Sequence, residues 1–169
     1  MGRKSSINKI KRSNTQSGDI EAGLVMNLYL KGHSPITTHS SIMGLQECDV
    51  LSVSKSDYIY EYEVKISRGD FKKDFIKEKH SMITEGKHTR EWKGGMQYLV
   101  PNYFYFVVPE NLISVDEIPE YAGLIYVNEK QKYDTVKKAP MIHKIKASPD
   151  FIRNLAHQLS CKLVFKKIK

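Results

Sequence analysis

Three residues of the sequence are of types that could share one piece of chemistry: Asp49 in "ECDVLSVS", and Glu63 and Lys65 in "YEYEVKIS". Two carboxylates held side by side repel, and at least one is driven to keep its proton unless a cation lies between them. Mg²⁺, with Mn²⁺ as a substitute, suits that place because it takes oxygen ligands, commonly one or two carboxylates with water and substrate phosphate completing the set. Its charge would polarise a scissile phosphate and acidify a bound water. Lys65, two residues beyond Glu63, reaches the same space, where an ammonium could hold the attacking water or offset charge on the phosphoryl oxygens. These are the parts of a phosphodiesterase. The same letters have a plainer reading, since a solvent-facing strand often alternates Glu and Lys for cross-strand pairing.

Whether the three residues meet depends on the strands that carry them. "CDVLSVS" and "YIYEYEVKI" are rich in β-branched and aromatic residues and are separated by "KSD", which reads as an antiparallel hairpin. With a three-residue loop of Lys55, Ser56 and Asp57, Ser54 pairs with Tyr58, and successive steps outward bring Asp49 opposite Glu63. Asp49, Glu63 and Lys65 then project from one face of the sheet, and Val50, Tyr62, Val64 and Ile66 from the other. A two-residue loop would reverse the parity and separate the acids. Glu61 shares the charged face, where it screens Lys65 or pairs with a strand neighbour.

An acid at Asp49 and "EVK" at Glu63 to Lys65 on the second strand of a hairpin flanked by helices resembles the PD-(D/E)XK nuclease superfamily. The string "ECDVLSVSKSDYIYEYEVKISRGDFKKDF" is similar to its small phage-type and DNA-repair-type members, in which an E-(I/V)-K-x-S segment precedes a helix bearing D-F-x-x-D. The matching positions are Glu63, Val64, Lys65, Ser67, Asp70, Phe71 and Asp74. The likeness runs from about Asp19 to Val127, with its specific part between Glu47 and Lys79; Cys48 stands where the name-giving pattern has Pro. It implies a restriction-endonuclease-like core, metal held by Asp49 and Glu63 with Glu21 of the first helix as an additional acid, and Lys65 as the catalytic lysine. Glu47 is a further acid without an assignment, and Gln97 and Tyr98 resemble a Gln and Tyr that follow the motif in some branches.

The remaining chain reads as the support for that hairpin. Its 169 residues fit one domain over 19–169, preceded by a flexible basic arm over 1–18. "DIEAGLVMNLYLK" spaces Ile20, Leu24 and Leu28 four apart and is followed by Gly32, a helix with a stop. Ser67 and Asp70 form a capping-box-like start to a second helix running to about His80. Asp70 and Asp74 cap it or orient lysines, and Ser67, Lys72, Lys73, Lys77, Lys79 and His80 are placed to grip DNA phosphates. Residues 81–97 read as a long exposed loop or broken helix, in which Trp92 could stack on a distorted substrate. "YFYFVVP" and "GLIYV" are buried strands, and Ser148 and Pro149 open a final helix with Phe151, Leu155 and Leu159 on one side.

These elements predict an α/β fold, a mixed central sheet with the 48–66 hairpin at its heart and helices on its faces. Lys plus Arg exceed Asp plus Glu by 27 − 19 = 8, so a polyanion is the natural partner. Cys48 and Cys161 have neither disulfide nor zinc spacing, the six histidines are scattered as surface residues or phosphate contacts, and no apolar run suits a membrane span. A cytoplasmic location follows, in the host cell if the chain is phage-encoded. The expected function is a Mg²⁺-dependent DNA endonuclease or DNA-processing nuclease, with homodimerisation an open option. The alternatives are a non-catalytic nucleic-acid-binding module of the same fold and a protein-interaction domain whose charges are only surface.

Overall fold

The computed structural model describes residues 3–44, 47–92 and 95–167. Helix α1 (Arg3–Leu30) is followed by strands β1 (Ile36–Ser40), β2 (Cys48–Val53) and β3 (Ile59–Val64), then by helices α2 (Arg68–Asp74) and α3 (Glu78–Thr84). The hairpin β4 (Thr89–Trp92) and β5 (Gly95–Tyr98) leads to β6 (Tyr103–Pro109), β7 (Ala122–Val127), β8 (Tyr133–Lys137) and helix α4 (Pro149–Lys167). Six strands form one mixed sheet in the order β1-β2-β3-β6-β7-β8. The pairs β1–β2, β2–β3 and β7–β8 are antiparallel, and β3–β6 and β6–β7 are parallel.

The β2–β3 register is the one that a three-residue loop dictates. Ser54 N–H donates to Tyr58 O at 2.9 Å, and the ladder runs from Val53 opposite Ile59 to Val50 opposite Tyr62. Asp57, at φ 64°, supplies the left-handed residue that closes such a turn. Side-chain alternation then divides β3. Tyr62 and Val64 join Val50, Val107, Ile125 and Val127 beneath Ile20, Leu24 and Leu28 of α1. Gly32, at φ 84°, ends that helix, and His33 N–H reaches back to Leu28 O at 3.0 Å.

Two apolar clusters cover the other face. Phe151 and Leu155 of α4 pack on Leu51, Val53 and Ile59. Phe71 of α2 packs on Phe104, Phe106, Val108 and Leu124. The Ser148 hydroxyl accepts from Phe151 N–H at 3.2 Å, so α4 starts where Ser-Pro predicts.

Several expectations need correction. The helix expected from 68 to about 80 is two short helices joined at Phe75–Lys77. The long loop or broken helix expected over 81–97 is the end of α3 followed by the β4–β5 hairpin. Helix α1 begins at Arg3, so the arm expected over 1–18 is helical from that residue on. Strands β1 and β8, which went unforeseen, form the two edges of the sheet. No helix among the described residues is long and apolar enough to cross a membrane.

Candidate active site

Beyond Ile59 the second face of β3 turns from apolar to ionic. Glu61, Glu63 and then Lys65 point beneath α2 and α3, and all three are buried. Ammonium groups on the residues just before and just inside α3 meet the carboxylates there. Lys79 Nζ lies on Glu61 Oε1 and donates to Glu63 Oε1 at 2.6 Å. Glu63 Oε2 accepts from Lys65 and from Lys77, each at 2.8 Å. The same two lysines lie 2.8 and 2.6 Å from Asp74 Oδ1 on α2.

A further chain holds Asp74 from behind. His80 Nε2 is 2.9 Å from Asp74 Oδ2, and His80 Nδ1 is 2.8 Å from the Tyr121 hydroxyl. An ionised carboxylate only accepts, so Nε2 donates to it, while Nδ1 pairs with the Tyr121 hydroxyl. Asp74 reaches this place because it lies three residues after the buried Phe71, on the same side of α2. Phe71 and His80 both pack against the Phe106 ring, which sets the two short helices over the strand.

The charges of the site are mutually enforced. Burial alone would raise the Glu63 pKa, but Lys79, Lys65 and Lys77 outweigh it and hold the carboxyl below its usual range. Asp74 is likewise held down, against burial, by the hydrogen bond from His80 and by Lys65 and Lys77. Burial works against the charge on Lys65, yet Glu63 and Asp74 raise its pKa, so it stays an ammonium. Its backbone is fixed too, because Lys65 N–H donates to Val107 O at 3.0 Å and carries the parallel ladder one residue past β3.

Asp49 is the exception. Its Oδ2 accepts from Val64 N–H at 2.7 Å, which ties it across the hairpin, yet no cationic side chain among the described residues is within ion-pair distance of it. Desolvation, followed by the charge of Glu63, pushes its pKa up to about 6. It is a carboxylate with a negative neighbour and a backbone amide bond but no ion pair among the described residues. Glu21 of α1 is close enough for its charge to act on Asp49. Its Oε2 lies 2.9 Å from His39 Nε2, and Glu47 takes the other ring nitrogen at 3.3 Å.

The residues expected at the site are therefore sorted by the fold. Glu63 and Lys65 form one ion pair, and the charges of Glu63, Lys65 and Glu21 act on Asp49. Lys79 and His80 are buried in the network and are not open to a DNA backbone. Lys77 keeps a quarter of its side chain exposed but is committed to Glu63 and Asp74. Lys72 and Lys73 are exposed on α2. Ser67 caps that helix, its hydroxyl accepting from Asp70 N–H at 3.1 Å. Trp92 ends β4 opposite Gly95, with its side chain outside the described residues. Glu61 pairs with Lys79 rather than with Lys65 or a strand neighbour. Tyr121 went unread, since nothing near it in sequence announces a partner for His80.

No protein-family model matches the chain, and no curated protein matches it in sequence. Its backbone is similar to a solved structure described as a protein of unknown function from Silicibacter pomeroyi, with a TM-score of 0.57 over 85% of this chain and 83% of that one. At 17% identity the likeness is one of fold.

Proposed function

We propose that the chain is a metal-dependent DNA nuclease with a restriction-endonuclease-like core, hydrolysing phosphodiester bonds. The observation that carries this reading is the side chain of Asp49, tied across the hairpin to Val64 N–H, within the electrostatic reach of Glu63 and of Lys65, which are themselves ion-paired. Asp49 and Glu63 fit a divalent cation by donor chemistry, since both offer carboxylate oxygens and Asp49, raised by burial and then by the charge of Glu63, has no ion pair of its own among the described residues. Mg²⁺ held there would supply Lewis acidity toward the phosphate and a more acidic water.

Lys65, kept protonated by Glu63 and Asp74, serves as a fixed donor and positive charge rather than as a base. It orients the water or offsets charge on the phosphoryl oxygens. In the hydrolysis, the hydroxyl of water bonds to phosphorus, the P–O bond to one nucleotide breaks, and that oxygen takes up a proton. Glu21 completes the acidic side of the pocket. Lys72 and Lys73, exposed on α2 beside the site, and the positive net charge of the chain favour a polyanionic substrate.

One observation favours the alternative of a nucleic-acid-binding module without catalysis: both oxygens of Glu63 already hold ammonium groups. A digestion panel of duplex, branched and single-stranded DNA, with RNA beside it, separates the two. Metal-dependent cutting by the wild type that Asp49→Asn abolishes, with DNA affinity retained, is the expected result. Binding without cutting under Mg²⁺ or Mn²⁺ would give the alternative, and full activity in Asp49→Asn would overturn the assignment of that acid.

A further inference from the structure

The buried network has a charge count that closes. Glu61, Glu63 and Asp74 are matched by Lys65, Lys77 and Lys79, so three negative charges meet three positive ones. Asp49 stands outside that balance. Both oxygens of Glu63 carry ammonium groups, so a divalent cation taken up between Asp49 and Glu63 would have to displace one of them. An ammonium group and a divalent cation cannot share one carboxylate oxygen at contact distance, since like charges repel strongly in a low-dielectric site.

The three lysines are not equally free to leave. Lys79 is the ion partner of Glu61, and its departure would strand a buried carboxylate. Lys65 is 6% exposed at its side chain and its amide is locked in the sheet. Lys77 is 25% exposed, immediately precedes α3 in an extended conformation, and follows the exposed Phe75 and Ile76 at the joint between two short helices. If Lys77 leaves, Glu63 keeps Lys65 and Lys79, and Asp74 keeps Lys65 and His80.

We propose that Lys77 is a displaceable counter-ion: it occupies Glu63 and Asp74 in the metal-free protein and is released toward solvent, and so toward a substrate phosphate, when a divalent cation binds. The inference rests on the reading of Asp49 and Glu63 as metal ligands. It makes Lys77 a residue that sets metal affinity by competition and couples metal uptake to a new positive charge at the mouth of the site.

The test is a Mn²⁺ titration of the full chain followed by electron paramagnetic resonance, comparing wild type, Lys77→Met and a control, Lys130→Met, exposed in the turn between β7 and β8. Lys77→Met should bind Mn²⁺ tighter by roughly tenfold or more, the weight of one charge-assisted hydrogen bond, with Lys130→Met unchanged. A folded Lys77→Met that binds Mn²⁺ as the wild type does, or more weakly, overturns the exchange and leaves the metal site standing. Absence of binding in wild type and variant alike overturns the metal reading and the exchange with it. A second readout needs no loss of Lys77: its ε-ammonium resonance in the wild type, assigned with Lys77→Arg, should move on Mg²⁺ addition from an ion-paired to a solvent-exchanging signal. A resonance that stays in place while Mg²⁺ binds refutes the displacement.

Discussion

Strand β3 supports two layers of opposite chemistry within one run of six residues. Toward α1, Tyr62 and Val64 lie in an apolar layer with Leu24, Val107 and Ile125. Toward α2 and α3, Glu61 and Glu63, with Lys65 just beyond the strand, lie in a layer of ion pairs that is equally buried. The first layer is held by burial that is non-directional and divisible, so each side chain adds its own area. The second must overcome the cost of removing charges from water and is held only while every carboxylate keeps its ammonium. Well-packed apolar residues often serve stability as well as or better than buried ion pairs, so the apolar layer explains the fold and the ionic layer calls for a use.

The comparison breaks hardest at Glu63. Glu63→Gln leaves three ammonium groups around a neutral amide, and urea unfolding should show a loss of about 4 kcal/mol, the range for removing one partner of a buried pair. A change under about 1 kcal/mol would mean that the lysines turn out to solvent at little cost. Next comes the apolar layer. Leu24→Ala, at a fully buried position, should cost about 3 kcal/mol in transfer and cavity terms, with little dependence on pH or salt. A strong salt dependence there would show that the two layers are coupled through the strand.

The smallest effect has the opposite sign. Asp49 titrates near 3.8 when unfolded and at about 6 when folded, so between those values the native state binds more protons and stability falls as pH rises. Asp49→Asn removes that penalty and should stabilise the metal-free protein at pH 7 by about 2 kcal/mol, a gain absent below about pH 4. Thermal unfolding in EDTA across that interval checks it. A destabilised Asp49→Asn at pH 7 would show that this carboxylate has a cationic partner after all.

The hairpin was legible in the sequence because loop length fixes register, and alternation on "YEYEVK" then assigns each side chain a face. The α1 stripe and the Ser-Pro start of α4 were legible for equally local reasons. The partners of the acids were not, since Lys77, Lys79, Asp74, His80 and Tyr121 come from three other segments and no spacing rule links them to Glu63. The break at Phe75–Lys77 carries no Gly or Pro; it brings Lys79 over Glu61 and Glu63, a tertiary demand. Gly86, Gly94 and Gly95 made a hairpin read as loop. Strands β1 and β8 were hidden because edge strands such as "ITTHS" and "YDTVK" are half polar and lack the apolar alternation that marks an inner strand.

The bond from Lys65 N–H to Val107 O makes the amide of this residue a clock for the whole domain. An amide proton inside a central ladder trades with deuterium only when the sheet itself opens. The amide of Lys77, bonded to Asp74 O at 2.9 Å in the turn between two short helices, trades whenever that joint loosens. Two lysines whose side chains meet at one carboxylate oxygen thus keep separate time, one for the entire molecule and one for the hinge beside it.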